Sequence, residues 1–127
     1  MIDVVAAILQ NHKGEILIAR RKKGKVLEGY WEFPGGKIEK GESSEQSLVR
    51  ELKEEMNIEI EVSEYVGENI HRYENQTIRL LAFKGEIVSG EIELVDHDKY
   101  VWVDLYELRK FELAPADIPI VALLANI

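Results

Sequence analysis

The chain has no cysteine among its 127 residues. Disulfides and thiolate metal sites are thereby excluded, and the absence suits a reducing compartment. With three prolines and nine glycines it holds no proline- or glycine-rich linker and no low-complexity tract. Basic residues are in the minority, 16 against 24 acidic, for a formal net charge of −8. Such a surface repels a polyanion on average, so nucleic acid is not an expected partner. No apolar run approaches the roughly 20 residues of a membrane span, and the opening MIDVVAAILQ has no basic lead-in. The expectation is a cytoplasmic protein with no membrane contact.

What remains is an ordinary globular composition, 46% apolar and 31% charged. The length predicts one domain, residues 1–127. Charge is unevenly spread: Arg20, Arg21, Lys22, Lys23 and Lys25 form a basic run, while the stretch from Glu42 to Glu64 is acidic. An anion can therefore be attracted locally.

Asp3 to Leu9 and Glu15 to Arg20 are apolar-rich segments separated by Asn11-His12-Lys13-Gly14, which predicts a hairpin. GYWEFPGGK follows, where Pro34, Gly35 and Gly36 disfavour regular structure and let the backbone pass close to another group. From Ser43 the pattern turns helical. Ser43 with Gln46 makes a capping box, and Leu48, Val49, Leu52 and Met56 recur at helical spacing, predicting a helix from Ser44 to Met56. Ile58 to Val62, Tyr65 to Arg72, Ile78 to Glu86 and Tyr100 to Val103 read as strands broken by turns such as Glu74-Asn75. Asp104 and Asp117 are placed to cap short helices. The order predicts an α+β protein, a mixed sheet sandwiched between helices.

On the predicted helix, Glu51, Glu54 and Glu55 fall within one third of the circumference, beside the apolar stripe. Like charges at this spacing cost about 0.2 to 0.5 kcal/mol each. Arg50 can pair with Glu54 but cannot neutralise all three. A divalent cation could, because Mg²⁺ prefers oxygen ligands and is typically held by a few carboxylates together with substrate phosphates. A solvated acidic face is the alternative reading of the three glutamates alone.

The wider pattern decides between them. From Gly36 the chain reads GKIEKGESSEQSLVRELKEEMNI: five residues lead to Glu42, seven more to Arg50, then Glu51, Leu52, one residue, Glu54 and Glu55. This resembles the Nudix box, the signature of hydrolases that cleave a nucleoside diphosphate linked to another group. At average residue frequencies those positions match by chance in about one window in 10⁸. One position departs, Asn57 standing where the family has glycine. The flanks VVAAILQ, GEILIARR, WEFPGGK, VWVDL and LAPADIP are similar to the MutT branch, particularly its CTP pyrophosphohydrolase members.

The resemblance implies a Nudix fold and a Mg²⁺-dependent nucleoside triphosphate pyrophosphohydrolase, with Mn²⁺ as the alternative ion. It implies metal ligation by Glu51, Glu54, Glu55 and the backbone carbonyl of Gly35, with Glu54 and Glu55 the principal ligands. Glu51 is the expected base or water-orienting group, Arg50 its support, and Glu42 a support of the metal shell or loop. Asp96 in VDHDKYVW is a second base candidate, ahead of its neighbour His97, whereas His12 and His71 read as surface residues. Arg21 is expected on phosphate, assisted by Lys37. Asp117 occupies the position that reads the base, where an ionised carboxylate only accepts hydrogen bonds, and Phe33 either flanks the base or fills the core. Gln76 stands where the branch has an arginine near the base. The implied substrates are modified or pyrimidine nucleotides such as 8-oxo-dGTP, CTP and 5-methyl-dCTP, handled by a monomer or homodimer in a housecleaning role. ADP-ribose or dinucleoside polyphosphate hydrolysis, and a non-catalytic nucleotide sensor, are the competing expectations.

Overall fold

The first strand, β1 (Ile2–Leu9), is apolar without interruption from Val4 to Leu9, and the reason is that both of its faces are covered. The computed structural model, which describes residues 1–125, places Val5, Ala7 and Leu9 in one buried cluster and Ala6 and Ile8 in another. The first cluster lies under helix α1 (Ser44–Met56), and the second under helix α2 (Ile118–Ala125).

The remaining strands are β2 (Ile16–Arg21), β3 (Trp31–Glu32), β4 (Gly35–Lys37), β5 (Ile58–Tyr73), β6 (Gln76–Gly90) and β7 (His97–Val103). One sheet has the order β4-β1-β6-β5, with β1 parallel to β6 and the other pairs antiparallel. The second, β3-β2-β7, is antiparallel. Among the described residues, a mixed sheet thus lies between α1 and α2, the expected α+β arrangement.

Several expectations need correction, among them that Pro34, Gly35 and Gly36 disfavour regular structure, since Gly35–Lys37 pair with β1 as strand β4. The Asn11 to Gly14 turn forms, with Gly14 at φ 78°, yet β1 and β2 are not a paired hairpin: beyond one bridge between Gln10 and Ile16 they enter different sheets. Each is instead flanked on both sides by other strands, β1 by β4 and β6 and β2 by β3 and β7. The segments 58–62 and 65–72 are one strand, whose register shifts near Glu59, Val62 and Tyr65 absorb the polar Ser63-Glu64 interruption as bulges. Asp104 Oδ1 does accept from Glu107 N at 2.8 Å, ahead of a short 3₁₀ turn over Glu107–Lys110, but the Asp117 carboxylate caps no helix among the described residues. Its Oδ2 accepts from Phe33 N at 2.9 Å instead.

Helix α1 forms as its sequence dictates. Ser43 Oγ accepts from Gln46 N at 3.1 Å and Gln46 Oε1 from Ser43 N at 2.9 Å, the reciprocal capping box. Asn57 ends the helix in the left-handed region, φ 58° and ψ 33°, and its N–H bonds to Lys53 O at 3.0 Å. The buried face is Ser47, Leu48, Leu52 and Met56. Val49, expected on that face, is exposed. Ser47 replaces it, donating from Oγ to the Lys37 carbonyl at 3.2 Å and so fastening α1 to β4.

Candidate active site

The acidic face of α1 meets the β4 loop, and Arg50 stands where they join. Its Nε and Nη2 bond both oxygens of Glu42, at 2.6 and 2.9 Å. Nη1 reaches Glu51 at 2.9 Å and Glu54 at 3.2 Å, and Nη2 also reaches the Lys37 carbonyl at 3.1 Å. One guanidinium thus satisfies two of the three helix glutamates, more than helical spacing alone had indicated. The Arg50 bond holds the Glu42 carboxyl down at about 2, and Glu42 returns the effect by raising the guanidinium further above its ordinary value. Glu42 Oε1 also accepts from Glu39 N at 2.9 Å, which fixes the loop before α1.

Glu51 is partly buried, and that desolvation raises its carboxyl despite the Arg50 bond. The space for it comes from Gly36. A Cβ there would lie 2.3 Å from the Glu51 carboxylate carbon. Gly35 is needed for another reason, because a Cβ on it would overlap the Val5 carbonyl oxygen. The two glycines therefore do different things, one letting β4 close on β1 and the other admitting a candidate base.

The third glutamate, Glu55, has a different neighbour. Asp96, before β7, lies against it, and burial first and Asp96 second push the Glu55 carboxyl up to about 8. Asp96 stays ionised, held at about 2 by the same contact and by Lys25, whose Nζ is 2.9 Å from Oδ1. Glu55 Oε2 is buried with no hydrogen-bond partner. Among the described residues no three carboxylate or imidazole groups converge as a ready-made metal cage. The donors present nevertheless suit a hard divalent cation: all are oxygens, one is an orphaned buried carboxylate atom, and the proton on Glu55 holds a place that a cation can take.

A second group of polar residues lies behind β3. Arg21 donates from Nη1 to Glu32 Oε2 at 3.1 Å and from Nε to the Val26 carbonyl at 2.6 Å. His97, 5% exposed, shares a 2.8 Å hydrogen bond between Nε2 and the same Glu32 oxygen. Asp117 is buried nearby, and its carboxyl is raised well above the usual range by burial and then by the Glu32 charge. Burial thus disfavours the charged form of Asp117, while the Phe33 N–H and the Arg21 charge favour it. Its loop is held by β5, Tyr73 Oη accepting from Ala116 N at 3.0 Å and Asn69 Nδ2 donating to Ala116 O at 3.1 Å.

Of the expected substrate residues, Phe33 has its ring in the core at 3% exposure and faces Asp117 only through its N–H. The Lys37 side chain points to solvent, and its carbonyl is what joins the site. Arg21 and Asp117 are brought together around Glu32, while Gln76 opens β6 in an exposed position paired with Tyr73. Sequence reasoning missed Glu32, gave His97 too little weight, and assigned Lys25 no partner. His97 set between Asp96 and Asp98 was the available signal.

The chain belongs to the Nudix family: the NUDIX domain matches residues 2–124. It is a Nudix hydrolase. It is 42% identical over 120 residues to the CTP pyrophosphohydrolase of Escherichia coli K12, spanning 94% of this chain and 88% of that protein. It is 31% identical over 126 residues to the 8-oxo-dGTP diphosphatase of the same organism, spanning 99% and 98%. The crystal structure of the MutT protein from Methanosarcina mazei Go1 superposes with a TM-score of 0.90 at 26% identity, over 98% of this chain and 93% of that one.

Proposed function

We propose that the protein is a Mg²⁺-dependent nucleoside triphosphate pyrophosphohydrolase that releases nucleoside monophosphate and pyrophosphate from modified or pyrimidine nucleotides such as CTP, 5-methyl-dCTP and 8-oxo-dGTP, clearing them from the nucleotide pool. The observation that carries the reading is the carboxylate set on α1, Glu51, Glu54 and Glu55, joined by Asp96 and cleared by Gly36, with one buried oxygen left without a partner. Similarity to proteins named for CTP and 8-oxo-dGTP supports the substrate class.

In this reading Glu54 and Glu55, with the Gly35 carbonyl, hold the cation, and Mn²⁺ is able to replace Mg²⁺. Bound there, the ion would offset phosphate charge and acidify a water. Glu51 would accept a proton from the attacking water, a task its raised carboxyl favours. Arg50 keeps Glu51 and Glu54 oriented, and Asp96 is the second candidate base. Arg21 contacts phosphate, and Asp117 reads the base through its carboxyl group. As an acceptor it suits a base edge with amino or imino hydrogens, such as cytosine N4 or guanine N1 and N2.

The test is a product analysis in Mg²⁺ with CTP, 5-methyl-dCTP, 8-oxo-dGTP, ADP-ribose and diadenosine tetraphosphate. Monophosphate and pyrophosphate from at least one triphosphate is the expected result. Turnover of the last two alone would replace the proposal.

A further inference from the structure

The two halves of the carboxylate cluster are each balanced by a cation of the chain itself, and the two cations are held very differently. Arg50 is bonded to Glu42, Glu51, Glu54 and a backbone carbonyl, with 22% of its side chain exposed. It cannot leave without uncovering several acceptors. Lys25 is 41% exposed and meets Asp96 through a single contact of 2.9 Å. Its backbone is held independently, Lys25 N bonding to Lys22 O at 3.2 Å and Glu28 N to Lys25 O at 3.1 Å, so the side chain can swing with the loop in place. The loop is itself tied to the same aspartate, Lys22 N donating to Asp96 O at 3.1 Å.

The neighbouring basic residues sharpen the assignment. Arg20 is paired with Asp98 at 2.8 Å and Arg21 with Glu32 at 3.1 Å. Neither Asp98 nor Glu32 belongs to the carboxylate cluster of α1. Of these three pairs, only that of Lys25 is one that a cation at the cluster would break. The same loop borders a cleft of about 360 Å³ lined by Arg20, Arg21, Lys23, Glu28, Gly29 and Asp98.

We propose that Lys25 is a displaceable counter-ion of the metal site, neutralising Asp96 until a divalent cation takes its place and then contacting the phosphates of the incoming substrate. A divalent ion carries twice the charge of an ammonium and wins the competition for the Asp96 and Glu55 oxygens. The released ammonium, on a flexible four-carbon stem with three donors, is suited to a phosphate. The site is then kept from standing as a bare anionic cluster that would repel the substrate. The inference rests on the triphosphate reading above.

The experiment has two arms. Mn²⁺ is titrated calorimetrically into the metal-free full chain without nucleotide, and steady-state kinetics are measured with the triphosphate that the wild type turns over best. Lys25→Met is expected to tighten Mn²⁺ binding by about two- to fivefold, the range of one partly exposed ion pair, and to raise KM about fivefold or more with kcat within about twofold. Lys23→Met removes the same unit charge from the same loop and should change Mn²⁺ binding by less than about 1.5-fold. Lys25→Arg should restore both quantities toward wild type. Unchanged or weaker Mn²⁺ binding in Lys25→Met, equal tightening in Lys23→Met, or an unchanged KM each overturns the proposal. A wild type that hydrolyses no triphosphate overturns the functional reading instead.

Discussion

Gly35 and Gly36 are adjacent, and a single methyl on each should have opposite consequences. In Gly35→Ala the new Cβ would overlap the Val5 carbonyl oxygen, and that oxygen belongs to the backbone of the central strand β1. Neither partner can rotate away, so β4 must separate from β1, at a cost of about 3 kcal/mol or more. In Gly36→Ala the Cβ would sit 2.3 Å from Cδ and Oε2 of Glu51, the far end of a flexible side chain. The carboxylate moves, and the fold gives up no more than part of one charge-assisted bond to Arg50, about 2 kcal/mol at most, partly offset by the lower chain entropy of alanine. A displacement of about 1 Å at a reacting group costs about 10²-fold in rate. Thermal unfolding and kcat/KM measured on both variants separate these effects. Gly36→Ala should unfold within about 8 °C of wild type and lose about 10²-fold in kcat/KM, whereas Gly35→Ala should lose about 10 °C or more. Wild-type turnover in Gly36→Ala would refute the placement of Glu51 at the reacting water. Equal losses of stability in both would refute the distinction between backbone and side-chain overlap.

Glu54 is 57% exposed and its replacement by Gln keeps the side chain's shape, so Glu54→Gln should retain the melting temperature and lose turnover; near-normal activity would remove Glu54 from the metal set. With its carboxyl at about 8 in the folded chain, Glu55 is about nine-tenths protonated at pH 7, and Mn²⁺ titrated into weakly buffered metal-free protein should release close to one proton per ion bound, which a pH-stat measures. The sign for stability follows from the same shift. The folded value lies above the unfolded value of about 4.5, so the Glu55 contribution is fully present below pH 4.5 and is lost as pH rises toward 8. The metal-free melting temperature should accordingly fall across that window, and the fall should disappear in Glu55→Gln. Asn57→Gly, at φ 58°, should change unfolding free energy by less than about 1 kcal/mol and leave turnover intact; a large loss of turnover would give the asparagine a part in the site.

Helix α1 was legible because everything that defines it lies within four residues: the Ser43 and Gln46 box, the apolar stripe and the left-handed end at Asn57. The clustering of Glu51, Glu54 and Glu55 follows from the same local geometry. Contacts across the sheet were not legible in that way. Phe33 and Asp117 are 84 positions apart, and Glu32 and His97 are 65. No periodicity reports which residues two distant strands bring together. The separation of β1 from β2 was hidden for a related reason, since a hairpin turn is a local signal and the choice of sheet depends on what covers each face. The upward shift of the Asp117 carboxyl could not be read from its identity either, because it comes from burial and from the charge of Glu32.

Strand β1 sends alternate side chains into two separate clusters, one beneath α1 with its carboxylates and one beneath α2 and the Asp117 loop. Glu51, Glu54 and Glu55 ride on a helix anchored in the first. Phe33, Ala116 and the start of α2 belong to the second. Substitutions around Asp117 can thus be accommodated by repacking under α2, with the α1 carboxylates undisturbed across the sheet. On the proposed reading, the hydrolytic carboxylates and the choice of nucleotide are then separable, joined only by the backbone of one strand.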